Sequence, residues 1–290
     1  MRDYVIATDS SCDLSQVMVD ELGVIVLPLT VMMEGKSYRN YLDGREIGFT
    51  EFYNELRGGK QATTSAVNVD EFYKALEIPL REGKDVLYLG FSSGLSATYQ
   101  SGVLAAEDLR SEFPEAAILT VDTLAASMGQ GLLIYLAVQE KRKGKTIEEL
   151  RDYVEEIKLR MAHWFTVDDL NHLKRGGRIS AAAALLGSTL NIKPILHVDD
   201  EGHLIPAGKV RGRKNSLKSL LEKLIETGVD LAEQPIFISH GDTLEDAQLL
   251  AEMIRAELPV KEIVINYIGP VIGAHSGPGT IALFFLAKHR

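Results

Sequence analysis

The feature that most constrains the fold is the regular alternation of short apolar runs with helical patterns in the first half of the chain. Apolar runs of strand length occupy residues 4–8, 24–27, 86–89 and 117–121, and amphipathic helical patterns lie between most of them. This alternation predicts a mostly parallel sheet with helices on both faces. In such sheets, the loops at the carboxyl ends of the strands form the ligand-binding edge. We therefore expect the functional residues of this half in those loops.

Three of the predicted helices begin with a pattern that resembles a capping box. Asp13, followed three residues later by a glutamine, would open a short helix. Asn68 is followed three residues later by Glu71, and Thr146 is followed in the same way by Glu149. In this motif the side chains of the two residues bond each other's backbone N–H groups. We therefore expect helices to begin directly after residues 68 and 146.

The pattern changes at about residue 160. Strand-like segments then occupy residues 163–167, 192–198, 203–211, 235–240, 263–268 and 281–287, and only two clear helical patterns, 217–225 and 244–258, separate them. More strands than crossover helices predict hairpins, and hence a mixed or antiparallel sheet. We predict an α/β protein of two domains. Residues 1–160 form a mostly parallel α/β/α sheet, and residues 161–290 form a mixed or antiparallel sheet with helices.

Composition narrows the possible partners and the cellular location. The net charge of -10 argues against nucleic-acid binding, which needs a basic face. A single cysteine excludes an internal disulfide and fits a reducing cytosol. No apolar run approaches the roughly 20 residues of a membrane span, and the early first strand predicts that no signal peptide is present. We expect a cytoplasmic protein with at most transient membrane contact.

The chain also lacks the sequence patterns of common cofactor and metal sites. It has neither a Walker A sequence nor a Gly-x-Gly-x-x-Gly run after a strand, so nucleotide binding is unsupported. Its carboxylates and histidines match no metal-ligand spacing. We therefore expect no cofactor and no metal site.

The turn after the third apolar run allows a catalytic interpretation. It contains Gly-Phe-Ser-Ser-Gly, the Gly-x-Ser-x-Gly pattern of a hydrolase nucleophile elbow centred on Ser92. In a hydrolase, Asp122 would supply the acid, and His240 or His275 would supply the base. An elbow places its helix directly after the serine, whereas residues 94–98 prolong this loop. An α/β serine hydrolase is therefore the alternative function.

Hydroxyl groups in two segments allow a non-catalytic interpretation. Residues 62–65, Ala-Thr-Thr-Ser, precede the helix capped at residue 68, and Ser93 and Ser96 lie in the turn described above. Helix capping alone would explain the first segment. If both segments are turns of one parallel sheet, the hydroxyls of Thr64 and Ser65 can converge with those of Ser93 and Ser96 on one anion.

Two further regions contain candidate site residues. His275 lies in a glycine-dense segment, residues 269–279, that we predict to be a loop; glycines let a backbone approach a ligand closely. Cations cluster at residues 174–178 and again at residues 211–214. These clusters are either solvated loop cations or a docking surface for an acidic partner or a phosphate.

Taken in order, the motifs of this chain resemble those of the DegV family. The matching segments are Thr-Asp-Ser-Ser-Cys-Asp-Leu at residues 8–14, Thr-Ser at 64–65, Ser-Ser-Gly-Leu-Ser-Ala-Thr-Tyr at 92–99, Leu-Lys-Arg-Gly-Gly-Arg-Ile-Ser at 173–180, Ile-Lys-Pro-Ile at 192–195 and Gly-Ala-His-Ser-Gly-Pro-Gly at 273–279. The resemblance spans essentially the whole chain. Ala66 and Val67 replace the usual Gln-Pro, and Ala97 replaces a usual glycine, so the loop shape and the chain-length preference are less fixed than the anion site.

The resemblance implies two α/β domains with a long-chain fatty acid buried between them. Some members are the fatty acid-binding subunit of a bacterial fatty acid kinase. They are carriers that present the carboxylate to a separate kinase subunit, which makes the acyl phosphate. A dihydroxyacetone-kinase-like subunit, related in fold, is a third possibility; it would bind its ligand through His275.

The resemblance also implies roles for individual residues. Thr64 and Ser96 would hold the carboxylate, with His275 close by, and Arg178 and Arg211 would face the kinase partner. The hydroxyl-rich turns add three further candidate ligand-binding residues: Ser65, Ser93 and Gly94.

Overall fold

The structure of the protein is a computed structural model that describes residues 2–180 and 191–290. The strands are β1 (Tyr4–Asp9), β2 (Ile25–Leu27), β3 (Thr30–Met33), β4 (Lys36–Arg39), β5 (Ala62–Ser65), β6 (Asp85–Gly90), β7 (Ile118–Asp122), β8 (Met161–Thr166), β9 (Ile192–Val198), β10 (Leu204–Arg211), β11 (Pro235–His240), β12 (Glu262–Tyr267) and β13 (Ile281–Leu286). The helices are α1 (Gln16–Leu22), α2 (Phe49–Arg57), α3 (Val69–Arg81), α4 (Thr98–Glu112), α5 (Met128–Arg142), α6 (Ile147–Ile157), α7 (Asn171–Arg175), α8 (Arg213–Thr227), α9 (Leu244–Glu257) and α10 (Pro270–Ser276). Short 3-10 turns occupy Ser10–Cys12 and Lys158–Arg160.

The first sheet is parallel, in the order β2-β1-β6-β7. The chain adds strands outward from β1 in one direction and from β6 in the other. The gap between the carboxyl ends of β1 and β6 is therefore the crevice where doubly wound sheets bind ligands. The loop that follows β6 begins in this crevice.

The second sheet is mixed, in the order β10-β9-β8-β13-β11-β12. Only β11 and β12 run parallel to each other, and the other neighbours are antiparallel. A third, small antiparallel sheet has the order β4-β3-β5. The predicted fold class, a parallel α/β part followed by a mixed sheet with helices, is confirmed. The domain division at residue 160 stays a prediction.

The two large sheets share one buried helix. α5 contacts β8, β11 and β13 of the second sheet, and its Leu132, Leu133 and Ile134 belong to a core cluster that also contains Leu87 and Leu89 of β6. A helix that is apolar around its circumference is stable only when it is covered on all sides. Packing between the sheets gives α5 that environment.

Within the described ranges, every helix is too short or too polar to span a lipid bilayer.

Two local predictions are wrong. Residues 62–65 are not a turn of the parallel sheet, because β5 is an edge strand of the small antiparallel sheet, with Thr64 opposite Val31. The segment around His275 is not an open loop, since α10 covers Pro270–Ser276. Pro270 stands at the start of α10, where its missing N–H costs nothing.

Candidate ligand-binding site

A cavity of about 250 Å³, here called the central cavity, adjoins the loop that follows β6. Its other walls include residues of β8, β9, β10 and β13 from the second sheet. Most of the lining is apolar and includes Phe91, Leu95, Phe165, Leu204, Ile272 and Phe284. Such a lining cannot solvate a charge, and it favours a ligand that is largely hydrocarbon.

Four polar residues of the cavity wall come together, and we call them the polar cluster: Thr64, Ser96, Arg178 and His275. Thr64 Oγ1 and His275 Nε2 share a hydrogen bond of 2.8 Å. Arg178 Nε donates to the carbonyl oxygen of Leu95 at 3.1 Å, which fixes the arginine beside Ser96. The cluster therefore joins β5, the loop after β6, the segment after α7 and α10.

The loop after β6 holds the Ser96 hydroxyl at the start of α4. Ser96 Oγ lies 2.9 Å from Thr98 Oγ1 and accepts a hydrogen bond of 3.2 Å from the backbone N–H of Thr98. Thr98 is the first residue of α4, so this hydroxyl is tied to the amino end of a helix, where an anion is favoured. Both hydrogen bonds form with the neutral hydroxyl of Ser96.

The imidazole of His275 is neutral at neutral pH. Burial is the main cause that lowers its pKa to about 4, and the nearby Arg178 lowers the pKa further. His275 Nδ1 is buried without a hydrogen-bond partner among the described residues. Gly176 leaves room for the imidazole ring of His275, because a Cβ atom at position 176 would collide with Nδ1.

Arg178 supplies positive charge to the polar cluster. It is half-buried, and burial lowers the pKa of its guanidinium, although an arginine remains charged in proteins. It donates to the carbonyl oxygens of Leu95 and Gly176 but forms no salt bridge within the described residues. The sequence placed Arg178 on a docking surface, whereas the structure places it in the cavity wall.

The other three predicted ligand-binding residues and the predicted docking residue Arg211 lie outside the polar cluster. Ser65 is exposed but lines the central cavity. Ser93 is exposed and does not line it; its backbone N–H donates to Asp122 Oδ1 at 3.2 Å. Gly94 lies outside the lining as well and packs against the turn at Gly202, where a Cβ would meet backbone atoms. Arg211, at the end of β10, is exposed.

The geometry gives the serine-hydrolase alternative no support. Ser92 is fully buried, and its Oγ donates to the carbonyl oxygen of Gly202 at 2.9 Å. His240 Nδ1 instead accepts from the N–H of Thr243, and His275 is bonded to Thr64. Neither candidate histidine is hydrogen-bonded to Ser92, so neither is placed to serve it as a base. The pattern at residues 90–94 forms a structural turn that fastens the loop to the second sheet.

Covalent capture of a small ketone and metal binding are not favoured either. A covalent ligand needs a free ring nitrogen, but His275 Nε2 is engaged by Thr64 and Nδ1 is buried against Gly176. No three acidic, histidine or cysteine side chains within residues 2–180 and 191–290 are grouped so that they could hold a metal ion.

Comparisons with known proteins identify one family for this chain. A family model described as "Uncharacterised protein, DegV family" matches residues 3–288. A DegV domain-containing protein of Clostridium perfringens is 50% identical over 290 residues, which cover 100% of this chain and 99% of the relative. A solved DegV family protein from Thermus thermophilus, described for its fatty acid binding, has a TM-score of 0.87 and 34% identity, with 99% of this chain and 100% of that chain covered. A hypothetical protein from Thermotoga maritima, whose structure is said to reveal a fatty acid binding function, has a TM-score of 0.86 and 30% identity at the same coverage. The chain belongs to the DegV family.

Proposed function

We propose that this protein binds a long-chain fatty acid, with the acyl chain in the central cavity and the carboxylate at the polar cluster. The observation that carries the proposal is an apolar cavity whose wall contains hydroxyls, a neutral imidazole and one guanidinium without a salt bridge to any described residue. The descriptions of the Thermus and Thermotoga relatives as fatty acid-binding support it.

The energetics favour a ligand that is bound mainly through its acyl chain and oriented through its carboxylate. Burying a chain of about 16 carbons at ~0.8 kcal/mol per methylene offers on the order of 10 kcal/mol before the costs of association. Each hydrogen bond to the carboxylate adds roughly 1.5–3 kcal/mol. The acyl chain therefore supplies most of the affinity, and Thr64, Ser96 and His275 determine where the carboxylate lies.

The second part of the proposal is that the protein is a carrier and not itself an enzyme. A cytoplasmic kinase subunit would bring ATP to the bound fatty acid. A carboxylate oxygen would attack the γ-phosphorus, the bond from that phosphorus to the β,γ-bridging oxygen would break, and ADP and an acyl phosphate would leave. The polar cluster suits this role because it holds the carboxylate without any group placed to attack it.

Native mass spectrometry of the purified protein tests fatty acid binding directly. We expect a complex whose added mass is that of a fatty acid, and extraction should return the free acid. A protein that stays empty after incubation with C14 to C18 fatty acids would overturn the proposal.

A charge reversal tests presentation to a kinase. Arg178 and Arg211 are the proposed docking cations, but only Arg211 lies outside the cavity wall. With the catalytic subunit of a fatty acid kinase and ATP, Arg211→Glu should lower acyl phosphate formation about tenfold, measured by hydroxylamine trapping, and leave fatty acid affinity unchanged. Lys36→Glu, on exposed β4, is the control. Equal rates for both variants would contradict docking at Arg211.

A further inference from the structure

A second cavity adjoins the polar cluster. Its volume is about 220 Å³, and it shares Thr64, Arg178 and His275 with the central cavity. Its remaining walls come from α2, β5 and the segment that precedes it, α7 and α10. The three shared residues therefore lie between the mostly apolar central cavity and the second cavity.

The lining of the second cavity is strongly polar and cationic. It includes Lys60, Arg175 and Arg178, with the imidazoles of His172 and His275 and the side chains of Gln61 and Thr63, and none of its described lining residues is Asp or Glu. Lys60 is paired with Glu55, which does not line the cavity. Arg175 touches only His172 Nδ1, at 3.1 Å, among the described side chains. Its guanidinium thus has no acidic partner there in a chain whose net charge is -10.

We propose that the second cavity binds a phosphoryl dianion, and that an acyl phosphate lies with its chain in the central cavity and its phosphoryl group here. This inference rests on the proposed function for the acyl part of the ligand. The observation that carries this inference is that Thr64 and His275 line both cavities, so a group attached to a carboxylate held there can enter the cavity that Lys60 and Arg175 line. Guanidinium groups suit phosphoryl oxygens, to which they donate paired hydrogen bonds.

The experiment compares two ligands of equal chain length. One is palmitate, and the other is its β-ketophosphonate, in which CH2 replaces the bridging oxygen of the acyl phosphate. Dissociation constants are measured by displacement of a fluorescent fatty acid. We expect Arg175→Met and Lys60→Met each to weaken phosphonate binding about tenfold and to leave palmitate binding unchanged.

Lys174→Met is the matched control. Lys174 is exposed in the same last turn of α7 as Arg175 but does not line the cavity. Any effect of removing a cation from the end of this helix is therefore common to both variants. Equal losses for Lys174→Met and Arg175→Met, or equal losses for the two ligands, would overturn the site.

Inorganic phosphate separates failure of the site from failure of the proposed function. If palmitate binds the unaltered protein but Arg175→Met and Lys60→Met do not weaken phosphonate binding, the second site is wrong and fatty acid binding stands. If neither acyl ligand binds, phosphate is titrated alone and amide shifts are followed by NMR. Shifts confined to residues 60–64 and 172–178 support the anion site, and their absence overturns it.

Discussion

At the scale of single residues, the contact between Thr64 and His275 organises the candidate site. The neutral imidazole brings no charge of its own, so Arg178 supplies the positive charge that the proposed carboxylate would meet in the polar cluster. The hydroxyls of Thr64 and Ser96 can then act as hydrogen-bonding groups, and the imidazole beside Thr64 is only a weak base, because its pKa is lowered to about 4. This combination suits binding rather than covalent chemistry.

Removal of either hydroxyl should weaken fatty acid binding. We expect Thr64→Val and Ser96→Ala each to raise the dissociation constant for palmitate by about ten- to a hundredfold, because a hydrogen bond to a carboxylate contributes roughly 1.5–3 kcal/mol. Titration calorimetry measures the affinity, and thermal unfolding shows that the variants are folded. Ser93→Ala tests the exposed hydroxyl of the same turn, for which we expect no change. Unchanged affinity in both Thr64→Val and Ser96→Ala would remove these residues from the binding site.

Gly176 should be needed for the position of His275. Its φ of −70° is accessible to alanine, so the effect of Gly176→Ala comes from the collision of the new Cβ with Nδ1. We expect a loss of about 1–3 kcal/mol in the free energy of unfolding, typical of overpacking, and weaker palmitate binding. Gly208→Ala is the control, because nothing lies within 4 Å of a Cβ there. Equal behaviour of the two variants would contradict the role of Gly176.

The sequence selected Thr64, Ser96 and His275 by the order of their motifs, and the structure shows all three in the wall of the central cavity. Their role in ligand binding stays a prediction. The sequence did not show that Arg178 lines the central cavity, and it did not identify Gly176. Both assignments depend on the distance between α7 and α10, which begin about 100 residues apart in the chain. Distances across such a separation follow from tertiary packing, and local patterns do not contain them.

At the scale of elements, the sequence predicted helices with regular patterns and capping motifs better than β5 and α10, whose composition is unusual. The capping boxes at Asn68 and Thr146 are confirmed, with both reciprocal hydrogen bonds present. The one at Asp13 is wrong, because Ser15 caps α1 and the Asp13 carboxyl group accepts hydrogen bonds from residues outside this helix. The polar segment of β5 has no apolar alternation, because it is a short edge strand whose residues are half-buried or exposed. α10 contains glycine and proline, and it is stable because Val271 and Ala274 pack in a buried cluster.

The capping box at Thr146 should stabilise α6 independently of the ligand site. The Thr146 hydroxyl accepts from the N–H of Glu149, a contact that Thr146→Ala removes. We expect the free energy of unfolding to fall by about 1 kcal/mol, measured by chemical denaturation, with palmitate affinity unchanged. Ser111→Ala, in the last turn of α4 and outside any cap, should change stability by less. A loss of affinity in Thr146→Ala would mean that α6 is coupled to the cavity.

At the scale of the whole molecule, buried polar contacts of Asp13 link the two large sheets. Its Oδ2 accepts from Ser127 Oγ at 2.5 Å, and that hydroxyl lies 3.0 Å from Ser239 Oγ of β11. Its Oδ1 accepts from the N–H of Gly269 at 2.9 Å, and Asn266 Nδ2 donates to its carbonyl oxygen. Burial is the main cause that raises the pKa of this carboxyl from 3.8 to about 7.

This raised pKa predicts the pH dependence of stability that Asp13 contributes. Between pH 4 and 7 the unfolded chain loses the Asp13 proton while the folded protein keeps it, so the contribution of Asp13 to the free energy of unfolding falls as pH rises. The opposite contribution of His275, whose lowered pKa favours folding at higher pH, is common to both proteins in a comparison of variants.

Asp13→Asn should therefore gain stability relative to the unaltered protein as pH rises from 4 to 7. The amide has the same shape and does not titrate in this range, so the difference between the two unfolding free energies should increase with pH, by at most about 1.4 kcal/mol per pH unit. Urea denaturation at half-unit intervals of pH measures it. Asp108→Asn, exposed on α4, controls for the loss of one negative charge. Parallel pH profiles for Asp13→Asn and the unaltered protein would show that the link between the sheets does not depend on a protonated Asp13.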